Sequence, residues 1–228
     1  MKQGPVAQSE HAGRCRGKGG GVRDPGIEER TDGARLIGAL QSFFVREDAY
    51  GLWMPGVPKG KTEMGAITQD LLGNHLKGTV RVGAHSTDRY DRAQWMVIDL
   101  DAVPVVAVLD IMGAAAKHGV SLSVEASRTA GRFHLWSLFA ERVPAWKARA
   151  LGQGLLTAAG WGNRGIEVFP KQDSLATTEK GMGNFVWLPW NGADLPQGRT
   201  AFLDLNREHW PPYADQVGFL MSAPRIPV

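Results

Sequence analysis

The apolar and polar residues of this chain alternate with two periods, one typical of helices and one typical of strands. Helical spacing predicts four helices, over 32–44, 68–77, 104–117 and 144–159. Thr31 or Asp32 is placed to cap the first of them. Short apolar or alternating segments predict strands over 79–86, 94–101, 120–125, 132–140, 165–169 and 184–190. Gly, Pro and Lys predict a loop over 51–62. Without strict alternation of strand and helix, the mixture predicts an α+β fold with one main sheet.

The first 33 residues lack both periods. They contain eight of the 29 glycines, and the stretch 13–23 is basic. Such a segment buries too little apolar surface to offset its ordering entropy, which predicts a disordered basic tail over 1–33 and a folded domain over 34–228. The tail is consistent with contact to nucleic-acid phosphates and equally with a solvated extension.

Composition excludes several classes of protein. Hydrophobic residues make up 43% and charged residues 21%, as in globular proteins, and the net charge of +3 is compatible with a polyanionic partner without establishing one. Cys15 is the single cysteine, so the chain can form no internal disulfide and no cysteine-based zinc site, and no zinc is expected. The chain has neither a membrane-length apolar run nor an apolar leader, which predicts a cytoplasmic protein without a membrane partner.

An acid pair ends the most apolar predicted strand, QWMVIDLD at 94–101. Asp99 and Asp101 lie two residues apart and therefore point to one side of the strand, while Met96, Ile98 and Leu100 face the opposite side, into the core. Two carboxylates at a strand end can share hard cations such as Mg²⁺ or Mn²⁺, and a pair of such ions serves phosphoryl transfer. The spacing equally allows Asp101 to cap the next helix and Asp99 to face water.

A basic turn followed by a histidine lies in SVEASRTAGRFHLW. Strand alternation places Arg132, His134 and Trp136 on one face. A histidine on a strand beside arginines is suited to binding a triphosphate. A surface hairpin whose histidine is merely hydrogen-bonded is the alternative interpretation.

A third acid lies in GIEVFPKQD at 165–173. Glu167 is flanked by apolar residues, so its carboxylate projects away from their shared face. Lys171 and Asp173 follow shortly after it. The alternative is a solvated Glu167 on an edge strand.

The order of these segments resembles that of the archaeo-eukaryotic primase superfamily, whose motifs are Asp-x-Asp/Glu, s-x-H and a late Asp/Glu after an apolar residue. The closer resemblance is to the primase domain of TOTE-type conflict systems and to related phage or plasmid primase-polymerases. Their motifs match VIDLDA, VEASRTAGRFHLW, IEVFPKQD and GMGNFVWLP here, and NHLKG resembles their HLxG. The combination, over roughly residues 40–205, is far more specific than any single motif.

The resemblance implies a two-lobed fold, with an RRM-like catalytic unit, a smaller N-terminal α/β unit and a cleft between them. It implies a DNA primase or primase-polymerase that uses two Mg²⁺ or Mn²⁺ ions. The implied catalytic metal ligands are Asp99, Asp101 and Glu167, with Asp173 as the alternative third ligand. The implied nucleotide-binding residues are Ser127, Arg128, His134 and Lys171. The implied partners are a single-stranded DNA template and nucleoside triphosphates. The chain contains no Walker A loop, so any helicase partner is expected to be a separate chain or a missing C-terminal part.

The chain departs from the family pattern at several positions. Arg132 stands where s-x-H usually has a small residue, while Ala126 and Ala130 replace Arg and Gly. The late motif reads Glu-Val-Phe-Pro, one residue shorter than Asp-Arg-x-Phe-Pro. Two other functions therefore stay open, a degenerate domain that binds single-stranded DNA or nucleotides without polymerising, and a metal-dependent nuclease.

Overall fold

The computed structural model describes residues 25–101, 103–177 and 181–227, so residues 1–24 of the predicted tail over 1–33 lie outside the described residues. The helices are α1 (Pro25–Gln41), α2 (Gln69–Leu76), α3 (Val106–Lys117), α4 (Ala145–Ala158) and α5 (Gln216–Ser222). The strands are β1 (Ala49–Trp53), β2 (Lys61–Met64), β3 (Arg81–His85), β4 (Arg92–Leu100), β5 (Ser123–Ala126), β6 (Phe133–Pro144), β7 (Glu167–Phe169), β8 (Phe185–Trp187), β9 (Ala201–Phe202) and β10 (Arg225–Ile226).

The first part of the chain differs from the sequence prediction in two places. Helix α1 begins at Pro25 rather than near Asp32, where no apolar period marks it, although proline suits a first helical position. The segment 51–62 is not a continuous loop, because β1 and β2 pair there as an antiparallel hairpin. Pro55, Gly56, Pro58 and Gly60 form the connection between the two strands, whereas Gly51 lies within β1. The division into a tail and a catalytic domain stays a prediction.

The strands form two sheets. The first has the order β2-β1-β3-β8, and the second has the order β7-β4-β6-β5-β9, with β10 parallel to β6. The α+β class is confirmed, but the expectation of one main sheet is wrong. Strand β3 pairs with β8, which lies far along the chain, and such a pairing leaves no local pattern in the sequence. The two-lobed arrangement stays a prediction.

Two apolar cores cover the two faces of the second sheet. Met96 and Ile98 of β4 pack with helices α3 and α4 on one face. Trp95 and Val97 of the same strand pack on the other face, toward the first sheet and helices α1 and α2. Strand alternation therefore directs Asp99 toward the first sheet, away from Ile98.

A pair of glycines seats an aromatic ring on the first sheet. Gly51 and Gly83 are partners across β1 and β3. A Cβ added at either position would lie 2.5 or 2.7 Å from the ring of Phe185. The ring therefore rests directly on the backbone of two strands, an approach that only glycine allows at both positions.

A buried histidine joins α2, β3 and the segment after β8. His75 Nδ1 accepts the backbone N–H of Val82 at 3.1 Å, so Nε2 carries the proton and donates to the Pro189 carbonyl at 2.9 Å. Burial lowers the pKa of His75 from 6.5 to about 4. The neutral ring is thus the form that the fold requires.

His75→Ala should lower the free energy of unfolding by about 3 kcal/mol, because it leaves a buried carbonyl and N–H without partners and opens a cavity. Urea unfolding at neutral pH measures this, with His118→Ala at an exposed position as the control. Protonation favours the unfolded chain once pH falls below 6.5, so the wild type should lose stability between pH 6.5 and about 4, and His75→Ala should lose less. Equal urea midpoints for the wild type and His75→Ala would contradict this role.

Candidate active site

A row of polar side chains crosses the second sheet from strand to strand. Glu167 of β7 is the register partner of Asp99 of β4, and Asp99 is also the partner of His134 of β6. His134 is in turn the partner of Glu125 of β5. Directly paired residues lie on one face of a sheet, so these four side chains stand side by side. Asp101 follows immediately after the end of β4.

Asp99 stands at the centre of this row with an oxygen that no donor satisfies. Its side chain is 19% exposed, and within the described residues its Oδ1 has no hydrogen-bond partner. His134 Nε2 lies 3.6 Å from that oxygen, too far for a hydrogen bond. Burial raises the pKa of the Asp99 carboxyl, His134 opposes the shift, and the charges of Asp101 and Glu167 add to it. A cation bound to this oxygen would offset both the cost of burying the charged carboxylate and its repulsion by Asp101 and Glu167.

A buried carboxylate holds the ring of His134. Glu125 is 1% exposed and accepts the Nδ1–H of His134 at 3.0 Å and the indole N–H of Trp136 at 2.6 Å. This bond leaves Nε2 of His134 facing Asp99. Burial alone would lower the pKa of His134, but the carboxylates of Glu125 and Asp99 raise it above its ordinary value.

The other two acids are each paired with a basic side chain. Arg132 Nη1 lies 3.0 Å from Asp101 Oδ2, and Lys171 forms an ion pair with Glu167. The carboxylates of Asp101 and Glu167 are 55% and 53% exposed. Exposed ion pairs of this kind contribute little to stability, so a stronger ligand can displace the basic partner.

Two cavities meet at the acid pair. The larger, about 200 Å³, is lined from both sheets, since Arg81 of β3 and Trp187 of β8 face Asp99 and His134 across it. The smaller, about 110 Å³, extends from the acid pair toward Glu167. Asp99 and Asp101 line both. The acid pair therefore has open space on two sides.

A match to a protein-family model shows which family contains this site. Residues 58–227 match the archaeo-eukaryotic primase domain of TOTE conflict systems, which is more than half of the chain. The chain belongs to this family. The resemblance drawn from the four motifs is thereby confirmed. The family suggests primase-like nucleotidyl transfer, and its members generally use divalent metals. No curated protein matches the chain.

The primase domain brings together most of the residues singled out in the sequence. Ser127 and Arg128 line the larger cavity beside His134, and Lys171 reaches Glu167. Asp173 lies elsewhere, where both of its oxygens accept from Arg149 of α4, at 2.9 and 2.6 Å, and it lines neither cavity. The capping alternative for Asp101 is wrong, because the residue that caps α3 is Val105 and it makes no side-chain bond.

Sequence reasoning gave no role to two residues of the site. Glu125 lay in the quoted hairpin motif, and its place as the one acid in an apolar strand was the available signal. Arg81 gave no such signal, because its partner Asp194 is remote in sequence. The carboxylate of Asp194 holds the guanidinium of Arg81 at the wall of the larger cavity. The guanidinium carbon of Arg81 lies 5.7 Å from the centre of the Trp53 ring.

The three acids have the oxygen ligands that hard divalent cations prefer, but in the described residues they do not form a preassembled cluster. Across the described ranges, no group of three His, Cys, Asp or Glu side chains is close enough to hold a metal ion. Asp101 and Glu167 point instead to Arg132 and Lys171. All three offer carboxylate oxygens, which Mg²⁺ and Mn²⁺ prefer, and the unsatisfied Oδ1 of Asp99 is suited to such an ion.

Within the part of the chain that the structure describes, no helix is long and apolar enough to cross a membrane.

Proposed function

We propose that this primase domain is a DNA primase or primase-polymerase that joins nucleoside triphosphates on a single-stranded DNA template. The observation that carries the proposal is the alignment of Glu167, Asp99 and His134 across three adjacent strands. Metal-binding acids and a phosphate-binding group thus lie next to each other on one rigid sheet, which is how a site reaches the tolerance that catalysis needs. The larger cavity continues from them into Ser127 and Arg128.

Asp99, Asp101 and Glu167 would hold the divalent cations. When bound, two such ions supply the positive charge that activates an attacking 3′-hydroxyl and stabilises the leaving oxygen. The unsatisfied oxygen of Asp99 supports this assignment. Asp101 and Glu167 would exchange their basic partners for the ions, which frees Arg132 and Lys171 to face the substrate phosphates.

Four side chains would bind the triphosphate. His134, Arg128, Ser127 and Lys171 supply N–H and O–H donors at the larger cavity and next to it. Glu125 orients the His134 ring so that Nε2 faces the reacting groups. These residues act by positioning and by electrostatic stabilisation rather than by forming covalent bonds.

A degenerate domain that binds nucleotides or DNA without polymerising is the second candidate. The ion pairs of Asp101 with Arg132 and of Glu167 with Lys171 favour it, since they neutralise two of the three acids without a metal. We prefer the proposal of catalysis. In a domain that binds no metal ion, Asp99 would keep a buried, unsatisfied charged oxygen, and nothing would offset the cost of burying it.

A primer-synthesis and extension assay separates these functions. It uses labelled and unlabelled templates, all eight ribo- and deoxynucleotides, and Mg²⁺ or Mn²⁺. Metal-dependent extension or de novo products support the proposal. Binding without products identifies the degenerate domain, and shortened DNA identifies a nuclease.

His134→Ala should raise the KM for nucleotides by roughly tenfold to a hundredfold, because it removes a charge-assisted hydrogen bond to the triphosphate. Arg128→Ala should act in the same direction and more mildly, since Arg128 reaches the cavity from a turn. Steady-state incorporation at varied nucleotide concentration measures both, and His118→Ala is the control at an exposed position. A loss of template affinity with an unchanged nucleotide KM would instead make the hairpin a DNA-binding element.

A further inference from the structure

Two exposed aromatic side chains lie on segments that a backbone hydrogen bond joins, away from the acids. Among the described residues, Tyr90 at 68% and Trp146 at 53% are the aromatic side chains that count as exposed. The backbone N–H of Ala145 donates to the carbonyl of Asp91 at 2.8 Å. Tyr90 directly precedes Asp91, and Trp146 directly follows Ala145. Neither ring contributes to a core, and exposed rings of this size are typical of a binding surface.

Cationic side chains accompany both rings. The guanidinium carbons of Arg89 and Arg92 lie 6.0 and 5.2 Å from the centre of the Tyr90 ring. Lys147 Nζ lies 5.7 Å from the centre of the Trp146 ring. Each ring thus has at least one cationic side chain close to it, and we name the surface formed by residues 89, 90, 92, 146 and 147 the Tyr90–Trp146 surface.

A buried carboxylate fixes the turn that presents Tyr90. Asp88 is 3% exposed and accepts the backbone N–H groups of Tyr90 at 2.8 Å and Arg92 at 3.0 Å. It also accepts from the side chains of Arg92 and Arg142, both at 3.0 Å. The surface is therefore pre-organised, and a ligand would pay little ordering entropy to use it.

Asp91 fixes the other side of the same turn. Its backbone is left-handed, with φ of 59°, and its carboxylate accepts from Ser174 Oγ at 2.7 Å and from the backbone N–H of Leu175 at 2.6 Å. A non-glycine residue holds this conformation only where its surroundings impose it. A cavity of about 300 Å³ opens beside Tyr90, and its charged lining residues are three arginines and three acids, namely Arg46, Arg89, Arg142, Glu47, Asp48 and Asp88.

We propose that the Tyr90–Trp146 surface binds single-stranded nucleic acid, with bases stacked on the two rings and phosphates on the flanking cations. Unpaired bases offer π-faces next to charged phosphates, which matches rings that each have a cationic side chain close by. Strand β4 begins at this surface and ends at the acid pair, so at about 3.3 Å per residue the two sites lie roughly 26 Å apart. The surface would anchor a strand remote from the nucleotide site, and it requires no catalysis.

Fluorescence anisotropy with a labelled oligodeoxythymidine tests the proposal, without nucleotides or metal ions. Tyr90→Ala and Trp146→Ala should each weaken binding by about tenfold, since each removes a base-stacking ring. Tyr90→Phe and Trp146→Phe keep a ring and should keep affinity within about twofold of the wild type. Arg89→Gln should lower the slope of log affinity against log salt by about 0.7.

The controls separate stacking from misfolding and from general charge. Met221→Ala removes another exposed apolar side chain, on α5, and should leave binding unchanged. Unchanged melting temperatures verify the fold of each variant. Undiminished binding by both alanine variants would overturn the proposal and leave a protein as the partner of this surface. An equal loss for blunt duplex DNA would also overturn it, because paired bases are not free to stack. Failure of nucleotidyl transfer would leave this result untouched.

Discussion

Asp99→Asn is expected to lower the rate of nucleotide incorporation by about a thousandfold or more, while the melting temperature stays equal or rises. The asparagine keeps the size of the side chain but removes the charge that would hold a cation at the unsatisfied Oδ1. Single-turnover incorporation with saturating Mg²⁺ or Mn²⁺ measures the loss. Glu141→Gln, at an exposed acid of the neighbouring strand β6, is the matched control.

The stability half of this prediction follows from the direction of the pKa shift. Burial raises the pKa of Asp99 in the fold, so folding favours its protonated form and the charged form costs stability near neutral pH. The neutral asparagine removes that cost. An active Asp99→Asn variant would contradict the metal-ligand role, and a large fall in melting temperature would show that the charge supports the fold instead.

Glu167→Gln is expected to lower incorporation by about a hundredfold or more, whereas Asp173→Asn stays within about threefold of the wild type. Glu167 is the strand partner of Asp99, so the sheet sets the separation of the two carboxylates. Asp173 is engaged by Arg149 and lines neither cavity of the site. The same single-turnover assay, with melting temperatures for both variants, compares the two.

The ranking of these two variants decides the third ligand. The motif is one residue shorter than in relatives, which left Asp173 as an alternative when the sequence was considered alone. A severe loss in Asp173→Asn with a tolerated Glu167→Gln would transfer the ligand role to Asp173. It would also require β7 to leave its register with β4 when the substrate binds.

The parts of the site that could be predicted from sequence are those set by alternation within one strand. The predicted strand over 94–101 corresponds to β4 (Arg92–Leu100), and the opposite orientation of Asp99 and Ile98 is confirmed by the core that contains Ile98. The strand over 132–140 corresponds to β6 (Phe133–Pro144). Side-chain period is a local property of the backbone, so it can be read without knowing which strands are neighbours.

The parts that could not be predicted depend on pairing between distant segments. Glu125 meets His134 only because β5 and β6 adopt one register of several that a hairpin allows. Arg81 reaches the cavity wall because Asp194, more than a hundred residues later, holds its guanidinium. Neither contact leaves a periodic trace in the sequence, and the same is true of the β3–β8 pairing that adds β8 to the first sheet.

The seat of Phe185 on Gly51 and Gly83 constrains how this sequence can diverge. A methyl group at either glycine would overlap the ring, so a single substitution there is deleterious while the ring remains. Loss of the ring removes the three nearest obstacles at Gly51, whereas a Cβ at Gly83 would still lie 3.0 Å from the Val186 carbonyl oxygen. Among relatives, the three positions should therefore covary as a unit, with two glycines wherever an aromatic residue stands at the third. In directed evolution, a damaging Gly51→Ala change should be rescued by a smaller residue at position 185 before any change elsewhere in the first sheet.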